Sequence, residues 1–338
     1  MHRGIMPDVV TFGEIMLRLT APGFQRFSQA QQLEVTFGGA EANVAVAIAQ
    51  LGGSAGFVTK LPANEIAERA LVELRALGVN VTGVVRGGDR IGVYFLEQGA
   101  GQRPGKVIYD RAHSAIAEAA LEDFDWEACF AGANWFHWSG ITPALSDSAT
   151  RIAAQACSVA RRMGLTVSFD LNYRAKLWSR ERAGAVLAPL MEHVDLCVTS
   201  VEEIRTVFGL EVSGEAMERE TIAAKRLSER FNLKSVALTM REASNAGDTR
   251  WAALLYHGGN FCFSRRHDVT IVDRLGAGDS FTGALIFALR RGDEPQKAVD
   301  FAVAASCLKH TVWGDYNRVS LAEVEALAAG GHGGRVQR

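Results

Sequence analysis

The residues with the clearest chemical meaning lie in the stretch VDRLGAGDSFTGALIFAL, which runs from Val272 to Leu289. Two glycines, Gly276 and Gly278, precede Asp279, and the residues that follow are apolar at helical spacing. This pattern predicts a strand over 269–272, a tight glycine turn and a helix. Such a turn directs several backbone N–H groups at one point near the positive end of the helix dipole, where an anion binds favourably.

Asp279 stands at the edge of this predicted anion hole, and its carboxylate has two alternative uses. It can cap the helix by accepting hydrogen bonds from unpaired N–H groups. It can instead take a proton from a nucleophile that lies beside the bound anion. The stretch by itself favours a cap over a base, and the rest of the chain decides whether that holds here.

Polar side chains follow five strands that the pattern of the chain predicts. From Trp126 onwards short apolar strands alternate with amphipathic helices, which is typical of a mostly parallel sheet covered on both faces. Ligands bind at the carboxyl ends of such strands. A site shared by all five ends is therefore favoured over five independent helix caps. The residues at these ends are Ser139; Asp170, Asn172 and Arg174; Ser200, Glu202 and Glu203; Thr239, Arg241 and Glu242; and Asp273, Arg274 and Asp279.

The amino-terminal part adds a second pattern. An alternating strand near Val35 precedes Gly38 and Gly39, where an alanine-rich helix begins. The segments 91–96 and 106–111 alternate with period two around a glycine-rich turn, which predicts a hairpin inserted into the αβ chain. Paired with the strand near Val35, this hairpin would form a small sheet over the site.

Composition excludes several classes of function. The 338 residues carry a net charge of −2 without a basic stripe, so neither nucleic acid nor an acidic membrane surface is favoured as a partner. No signal-type segment and no run of ~20 apolar residues is present, which predicts a cytoplasmic protein. The length allows two domains or one large α/β domain.

The scattered cysteines and histidines argue against a dedicated metal site. The five cysteines are widely spaced in apolar segments, which favours reduced core thiols over disulfide, zinc or nucleophile roles. No HExxH motif occurs. The P-loop, dinucleotide-binding and protein-kinase signatures are also absent, so a phosphate cradle would have to be the turn at Gly276–Asp279.

Two segments together resemble the PfkB/ribokinase family of carbohydrate kinases. They are FGGAEANVAVAIAQLGG (37–53) and DRLGAGDSFTGAL (273–285), and they stand in the family's order, about 230 residues apart. The likeness extends over roughly residues 7–325. Within the family, the segments VTFGEIMLRLTAPG, VIYDRAHSA, FHWSGITPAL and SFDLNYRAKLWS are most similar to those of 2-keto-3-deoxygluconate kinases.

The resemblance implies a fold and a reaction. The fold would be a ribokinase-like three-layer α/β/α sandwich, with a mostly parallel sheet and a small inserted β-sheet lid. A single domain would span residues 1–325, with lid strands from about 15–37 and 86–111 and a flexible tail over 326–338. The reaction would be ATP-dependent phosphorylation of a sugar hydroxyl with Mg²⁺, and with a monovalent cation as an optional further ion. Members often associate through the lid, which implies a homo-oligomer, either a dimer or a larger assembly.

The resemblance also assigns residues to roles. Substrate contacts fall on Gly39, Asn43, Tyr94, Tyr109, Arg111, Arg174, Asp279 and Asp315. Nucleotide contacts fall on Asn172, Thr239, Arg241, Gly276 and Gly278. The catalytic set comprises the anion hole of Gly276, Ala277 and Gly278, the base Asp279, and Arg174. Glu203 would contact the metal through water.

Two segments depart from the family pattern. Ser200 replaces the asparagine of an Asn-x-x-Glu motif linked to magnesium, although Glu203 is kept. The loop expected after the strand SVALT usually carries glycine and contacts the nucleotide. Here it reads Thr239-Met240-Arg241-Glu242, which leaves the adenine contacts and the nucleotide preference open.

Arg111 bears on the choice of acceptor. A keto-deoxy sugar acid carries a carboxylate that fructose or a riboside lacks, and a cation in the pocket would bind it. Arg111 could instead form a surface ion pair with Asp110 or another neighbour. Arg174 could pair with Asp170, and Tyr94 could simply pack against the sheet.

The favoured interpretation is phosphorylation of the 6-hydroxyl of 2-keto-3-deoxygluconate. A kinase of a neutral sugar and a non-catalytic sugar-binding regulator remain the alternatives.

Overall fold

A computed structural model describes residues 7–331 of the chain. It contains fourteen strands and ten α-helices within that range. The strands are β1 (Val9–Phe12), β2 (Met16–Thr20), β3 (Glu34–Gly38), β4 (Ala55–Leu61), β5 (Val84–Arg86), β6 (Gly92–Glu97), β7 (Lys106–Asp110), β8 (Trp135–Ser139), β9 (Thr166–Asp170), β10 (Leu196–Thr199), β11 (Ser235–Ala243), β12 (Asp248–His257), β13 (Asn260–Phe263) and β14 (His267–Thr270). The helices are α1 (Ala40–Gln50), α2 (Glu65–Ala76), α3 (Trp126–Cys129), α4 (Asp147–Arg162), α5 (Arg180–Leu190), α6 (Val201–Phe208), α7 (Glu218–Phe231), α8 (Ala277–Arg291), α9 (Pro295–Lys309) and α10 (Leu321–Ala328).

The large sheet has the strand order β13-β12-β11-β10-β9-β8-β1-β4-β5, with β14 paired to β12. Every neighbouring pair from β5 across to β11 is parallel, whereas β12 runs antiparallel to β11, β13 and β14. The central strands β1 and β8 are buried along their whole length because helices cover both faces. This confirms the predicted mostly parallel α/β/α architecture.

Two apolar cores lie on the two faces of this sheet. One contains residues of α1, α2, α8, α9 and α10, and the other contains residues of α4, α5, α6 and α7. The ends of these helices follow local rules. Ser146 caps α4 by accepting a hydrogen bond from the Ala149 N–H, and α8 ends at Gly292 in the left-handed conformation.

A second sheet of four strands, the lid sheet, has the order β3-β2-β6-β7. It is the predicted small sheet, but its pairing differs in one respect from the expectation. The strand near Val35 (β3) pairs with β2 rather than with the hairpin, and β2 runs parallel to β6. On β2 the side chains of Met16, Arg18 and Thr20 are buried, so one face of the lid sheet rests against the body of the protein.

Three expectations from the sequence need correction. β11 continues to Ala243 as half of a hairpin, so Thr239–Glu242 is strand and not a loop. The strand before the glycine turn is β14, which is antiparallel and ends at Thr270, and residues 271–276 form a loop. The last helix runs to Ala328, inside the expected tail, and residues 332–338 of that tail lie outside the described residues.

Candidate active site

The turn before α8 has the geometry that the sequence predicts for an anion hole. Gly276 has φ +79°, a left-handed conformation that favours glycine. A Cβ at this position would lie 1.8 Å from the carbonyl oxygen of Asp315, so the close approach also requires glycine. Within residues 7–331 the N–H groups of Gly278 and Asp279 have no hydrogen-bond partner. These groups of the first helical turn are therefore available to an anion.

The alternative role of Asp279 as a helix cap is not observed, because within residues 7–331 its carboxylate accepts no hydrogen bond from a backbone N–H of α8. The Oδ2 atom of Asp279 instead accepts a hydrogen bond of 2.7 Å from Nδ2 of Asn43 in the first turn of α1. The Oδ1 atom of Asn43 accepts from the Gly39 N–H at 3.3 Å, which fixes the orientation of the amide. A Cβ at Gly39 would lie 1.9 Å from the Glu14 carbonyl oxygen. The two glycine-containing segments thus meet at one half-buried carboxylate.

The environment of Asp279 favours proton transfer near neutral pH. Burial raises the pKa of Asp279 to about 6, although the hydrogen bond from Asn43 opposes the shift. The negative charge of Asp315 raises it further, whereas the positive charges of Arg174 and Lys309 lower it. A group with a pKa in this range can both accept and release a proton at physiological pH.

A second carboxyl group, that of Glu41, lies under this region, and sequence reasoning did not identify it. Glu41 is only 1% exposed, and its Oε1 accepts hydrogen bonds from Ser139 Oγ at 2.6 Å and Thr142 Oγ1 at 3.1 Å. Burial raises its pKa to about 7, while the hydrogen bond from Ser139 lowers it and the charge of Asp279 raises it. Glu41 therefore belongs to the support of the site, where its carboxyl group is close enough to Asp279 for their charges to interact.

The lid sheet brings Tyr94 and Tyr109 together with Asp315. Tyr94 and Tyr109 are cross-strand neighbours with ring centroids 5.9 Å apart. Tyr94 is 3% exposed, and its hydroxyl donates to the Asp315 carboxylate at 2.8 Å. The ring of Tyr94 is therefore packed inside the protein, as the alternative of a purely packing role expects, but its hydroxyl also forms a polar contact with Asp315. Tyr109 is half-exposed at the open side of the lid sheet.

Arg111 forms a buried ion pair, but its partner is not Asp110. Both Nε and Nη2 donate to Oε2 of Glu14, with the Nε bond at 2.7 Å, and the other carboxylate oxygen accepts from Ser114 Oγ at 2.6 Å. Asp110 pairs instead with Arg90. Because the guanidinium also stacks on Tyr109, with its carbon 5.5 Å from the ring centroid, Arg111 is held beside the tyrosine pair.

Arg174 and Asn172 lie in the loop after β9, and the positive charge of Arg174 acts on Asp279. Among the described residues Arg174 makes no ion pair, so the expected alternative of a pair with Asp170 is wrong. Asn172 has φ +39° and a buried side chain without a hydrogen-bond partner in the described part of the chain. Backbone strain of this kind tends to occur at functional sites.

The residues near the expected metal position suit a hydrated ion. Glu203 accepts hydrogen bonds at both oxygens, from the Tyr173 N–H at 2.9 Å and from Ser200 Oγ at 3.1 Å. Ser200 also caps α6, because its Oγ accepts a hydrogen bond from the Glu203 N–H at 3.3 Å. Burial raises the pKa of Asp170 well above its usual range, and the charge of Glu203 adds to the shift. Residues 7–331 contain no group of three or more His, Cys, Asp or Glu side chains that could hold a metal.

Two arginines and a cavity lie at the loop 271–276. Thr239 and Arg241 lie on β11, and Arg274 donates to the Ala246 carbonyl oxygen at 3.0 Å. Burial lowers the pKa of Arg274, and the positive charge of Arg241 adds to this effect. A cavity of about 760 Å³ lies between the turn that joins β6 to β7 and the turn that joins β11 to β12, and it is lined by Gln98, Gly101, Asn245, Arg274 and Leu275 among others.

Comparison with known proteins identifies the family. The model of the pfkB family of carbohydrate kinases matches residues 6–320. The chain belongs to the PfkB family of carbohydrate kinases. It is therefore a phosphotransferase that acts on a sugar hydroxyl, and ATP is the phosphoryl donor that PfkB kinases use.

Similar PfkB kinases act on keto-deoxy sugar acids. The chain is 38% identical over 329 residues to the 2-dehydro-3-deoxygalactonokinase of Haloferax volcanii. The matched region covers 97% of this chain and 98% of that protein. The chain also matches the crystal structure of the 2-dehydro-3-deoxygluconokinase of Thermotoga maritima with TM-score 0.93 and 50% identity, over 95% and 99% of the two chains.

A more distant structure supports the fold alone. It is a putative ribokinase II from E. coli, solved in complex with ATP and Mg²⁺, with 22% identity and TM-score 0.81 over 96% of this chain and 100% of that one. No helix among the described residues of this PfkB kinase is long and apolar enough to cross a membrane.

Proposed function

We propose that this PfkB kinase transfers the γ-phosphoryl group of ATP to the 6-hydroxyl of 2-keto-3-deoxygluconate, giving ADP and 2-keto-3-deoxy-6-phosphogluconate. One observation carries the catalytic part. The carboxylate of Asp279, held by Asn43, lies in the same helical turn as the unpaired N–H groups of Gly278 and Asp279. A proton acceptor and an oxyanion-binding group within one turn suit phosphoryl transfer, which depends mainly on positioning and charge stabilisation.

In the proposed reaction the 6-hydroxyl oxygen attacks the γ-phosphorus, and its proton passes to Asp279. A bond forms between that oxygen and phosphorus, while the bond from phosphorus to the β,γ-bridging oxygen breaks and its electron pair leaves with ADP. Charge develops on the equatorial oxygens, where the N–H groups of Gly278 and Asp279 donate hydrogen bonds without needing to reorganise, whereas the Ala277 N–H already donates to the Arg274 carbonyl oxygen at 3.4 Å. Loss of one such donor costs about 3–4 kcal/mol in comparable sites.

The acceptor is proposed to be a sugar acid because Arg111, which follows strand β7 of the lid sheet, can bind a carboxylate. Arg111 is fixed at Nε and Nη2 by Glu14, while its Nη1 makes no hydrogen bond to any described residue. A guanidinium held in this way is preorganised to bind the substrate carboxylate beside Tyr94 and Tyr109. The Haloferax and Thermotoga relatives are named for acids derived from galactonate and gluconate, so the configuration of the acid is the point that remains to be tested.

Donor binding is proposed on the side of Arg241 and Arg274, with Thr239 and Asn172 as further contacts. Mg²⁺ would be held mainly by phosphate oxygens and water, with Asp170 and Glu203 reaching it through water, as magnesium retains much of its hydration. When bound, the ion would neutralise phosphate charge.

We also propose that the protein forms a homo-oligomer through the lid sheet, on which the apolar residues Val35 and Ile108 are 37% and 42% exposed. Light scattering of the purified protein tests this.

The rate should depend on pH through Asp279. The base acts when it is ionised, so kcat/KM is expected to rise with pH through about 6, the value to which burial raises the pKa of Asp279. Above that value the carboxylate is fully ionised and this rise should level off. Initial rates of ADP release from pH 5 to 8 measure the acid limb. A profile that is flat through pH 6, with chemistry shown to limit the rate, would contradict the assignment.

The function as a whole is tested by an ADP-release screen. The acceptors are 2-keto-3-deoxygluconate, 2-keto-3-deoxygalactonate, fructose and a riboside. The proposal expects the first to give the highest kcat/KM. A wide preference for fructose or the riboside would support the alternative of a neutral-sugar kinase. Sugar binding by calorimetry without turnover on any acceptor would support a binding regulator instead.

A further inference from the structure

An arginine of the lid sheet, Arg18, lies wholly inside the protein. Its side chain has 0% exposure, and all three nitrogens of its guanidinium make hydrogen bonds. Nε donates to Thr20 Oγ1 at 2.8 Å, Nη1 to Asp315 Oδ1 at 2.6 Å and Nη2 to Asp273 Oδ2 at 2.5 Å. A buried arginine is retained at a considerable desolvation cost, so the position of its two carboxylate partners is informative.

Both partners belong to the support of the anion hole. Asp273 accepts from the Leu275 N–H at 3.1 Å through Oδ1, and from the Gly314 N–H at 3.1 Å through Oδ2. The Asp315 carbonyl lies directly against Gly276, where an added Cβ would approach it to 1.8 Å. Arg18 thus connects β2 to the loop before α8 and to the loop after α9.

The charges in this cluster balance. In formal charge, Asp273 and Asp315 contribute two negative charges, and Arg18 and the buried Lys309 contribute two positive charges. Lys309 donates to the backbone carbonyls of Asp273 and Val312, at 3.4 and 3.1 Å. Without Arg18 the cluster would hold one uncompensated negative charge next to the position of the incoming phosphate.

We propose that Arg18 is a positioning residue for phosphoryl transfer, which holds the turn 273–276 in its anion-binding form and neutralises the carboxylates behind it. This inference rests on the proposed function. It assigns to a lid strand a role in the phosphate site as well as in covering the sugar. The guanidinium fork is suited to this role because it reaches two carboxylates at once, which a lysine ammonium does with poorer geometry.

The charge of Arg18 also bears on Asp279. The groups that face Asp279 are Asn43 and Glu41 from α1, Asp170 from β9, Arg174 from the loop after it, Lys309 from α9 and Asp315 from the loop after α9. Of these, Asp315 is the group that Arg18 neutralises directly. Removal of the guanidinium should therefore leave Asp279 harder to ionise.

The test compares Arg18→Gln with Arg161→Gln. The second substitution removes an arginine from a buried carboxylate, Asp195, which lies at the opposite end of the strands and keeps Lys234 as a partner. Arg18→Gln is expected to lower kcat about 100-fold, the loss that follows a small misplacement of reacting groups. It should also move the acid limb of kcat/KM to higher pH. Arg161→Gln should change neither quantity, whatever it does to the melting temperature.

Arg18→Lys keeps the inference falsifiable if Arg18→Gln does not fold. The lysine retains the charge but not the fork, so a lower kcat with the acid limb at its original pH is expected. A folded Arg18→Lys or Arg18→Gln enzyme with unchanged kcat and an unchanged pH profile would overturn the inference. An inactive wild-type protein on every acceptor would instead refute the proposed function.

Discussion

Asp279→Asn should lower kcat by about 10²–10⁴, the usual contribution of a positioned proton acceptor. The amide has nearly the same shape as the carboxylate, and it can present its oxygen to Nδ2 of Asn43, so the hydrogen bond of 2.7 Å can be kept. The backbone N–H groups of the turn are unchanged. We therefore expect sugar affinity to remain within a few-fold of the wild-type value while turnover is almost lost.

Single-turnover ADP release and calorimetric titration with the acceptor measure these two quantities separately. Asp293→Asn is the matched control, because Asp293 lies just beyond the other end of α8, where it pairs with Arg291 and Lys297. Full turnover by Asp279→Asn would remove this residue from the role of base. Loss of both turnover and sugar binding would show that the carboxylate has a mainly structural role.

Arg111→Leu should change the specificity of the enzyme. Truncation of one partner of a buried, hydrogen-bonded charge pair costs about 2–5 kcal/mol, or roughly 30- to 4,000-fold. We expect a loss of this size in kcat/KM for 2-keto-3-deoxygluconate, because the substrate carboxylate loses its cation. The kcat/KM for a neutral ketose should change little, since that substrate has no carboxylate for Arg111 to bind.

The removal of Arg111 also leaves Glu14 without its cation, so a second variant separates the two effects. Glu14→Gln with Arg111→Leu takes away both charges, and the discrimination between acid and neutral acceptors should still be lost. Arg90→Leu is the control, because Arg90 pairs with Asp110 in the same part of the lid sheet and is partly exposed. Equal losses on acid and neutral sugars in the Arg111 variants would show that this arginine only supports the fold.

The sequence predicts the parts of the site that depend on local pattern. The glycine turn before α8 is recognisable because no other residue tolerates both a positive φ and contact with a neighbouring backbone, as at Gly276. The grouping of strand ends follows from the parallel order of β1, β8, β9 and β10. The family resemblance assigns both Asn43 and Asp279 to substrate contacts, and the structure adds the hydrogen bond between them.

Other features depend on contacts between distant parts of the chain, which period and spacing do not encode. Arg18 alternates on β2 like any residue of a half-buried strand, and its two partners lie 255 and 297 residues further along the chain. Glu14 takes the place of Asp110 as the partner of Arg111 for the same reason. The extension of β11 past Thr239 follows from pairing with β12, because tertiary hydrogen bonds override a polar sequence that reads as a loop.

The carboxyl groups of Glu41, which is buried, and Asp279, which is half-buried, have a consequence for the folding equilibrium. The pKa values of Glu41 and Asp279 are raised by burial to about 7 and about 6, so the native chain binds more protons than the unfolded chain between about pH 4 and 7. The contribution of these groups to the free energy of unfolding therefore decreases as pH rises through this window and is constant above it. In Glu41→Gln the free energy of unfolding, measured by urea titration from pH 5 to 8, should decrease less steeply with pH. An unchanged pH dependence would contradict the assignment of this decrease to Glu41. The protein thus gives up conformational stability at the pH where its base is ionised.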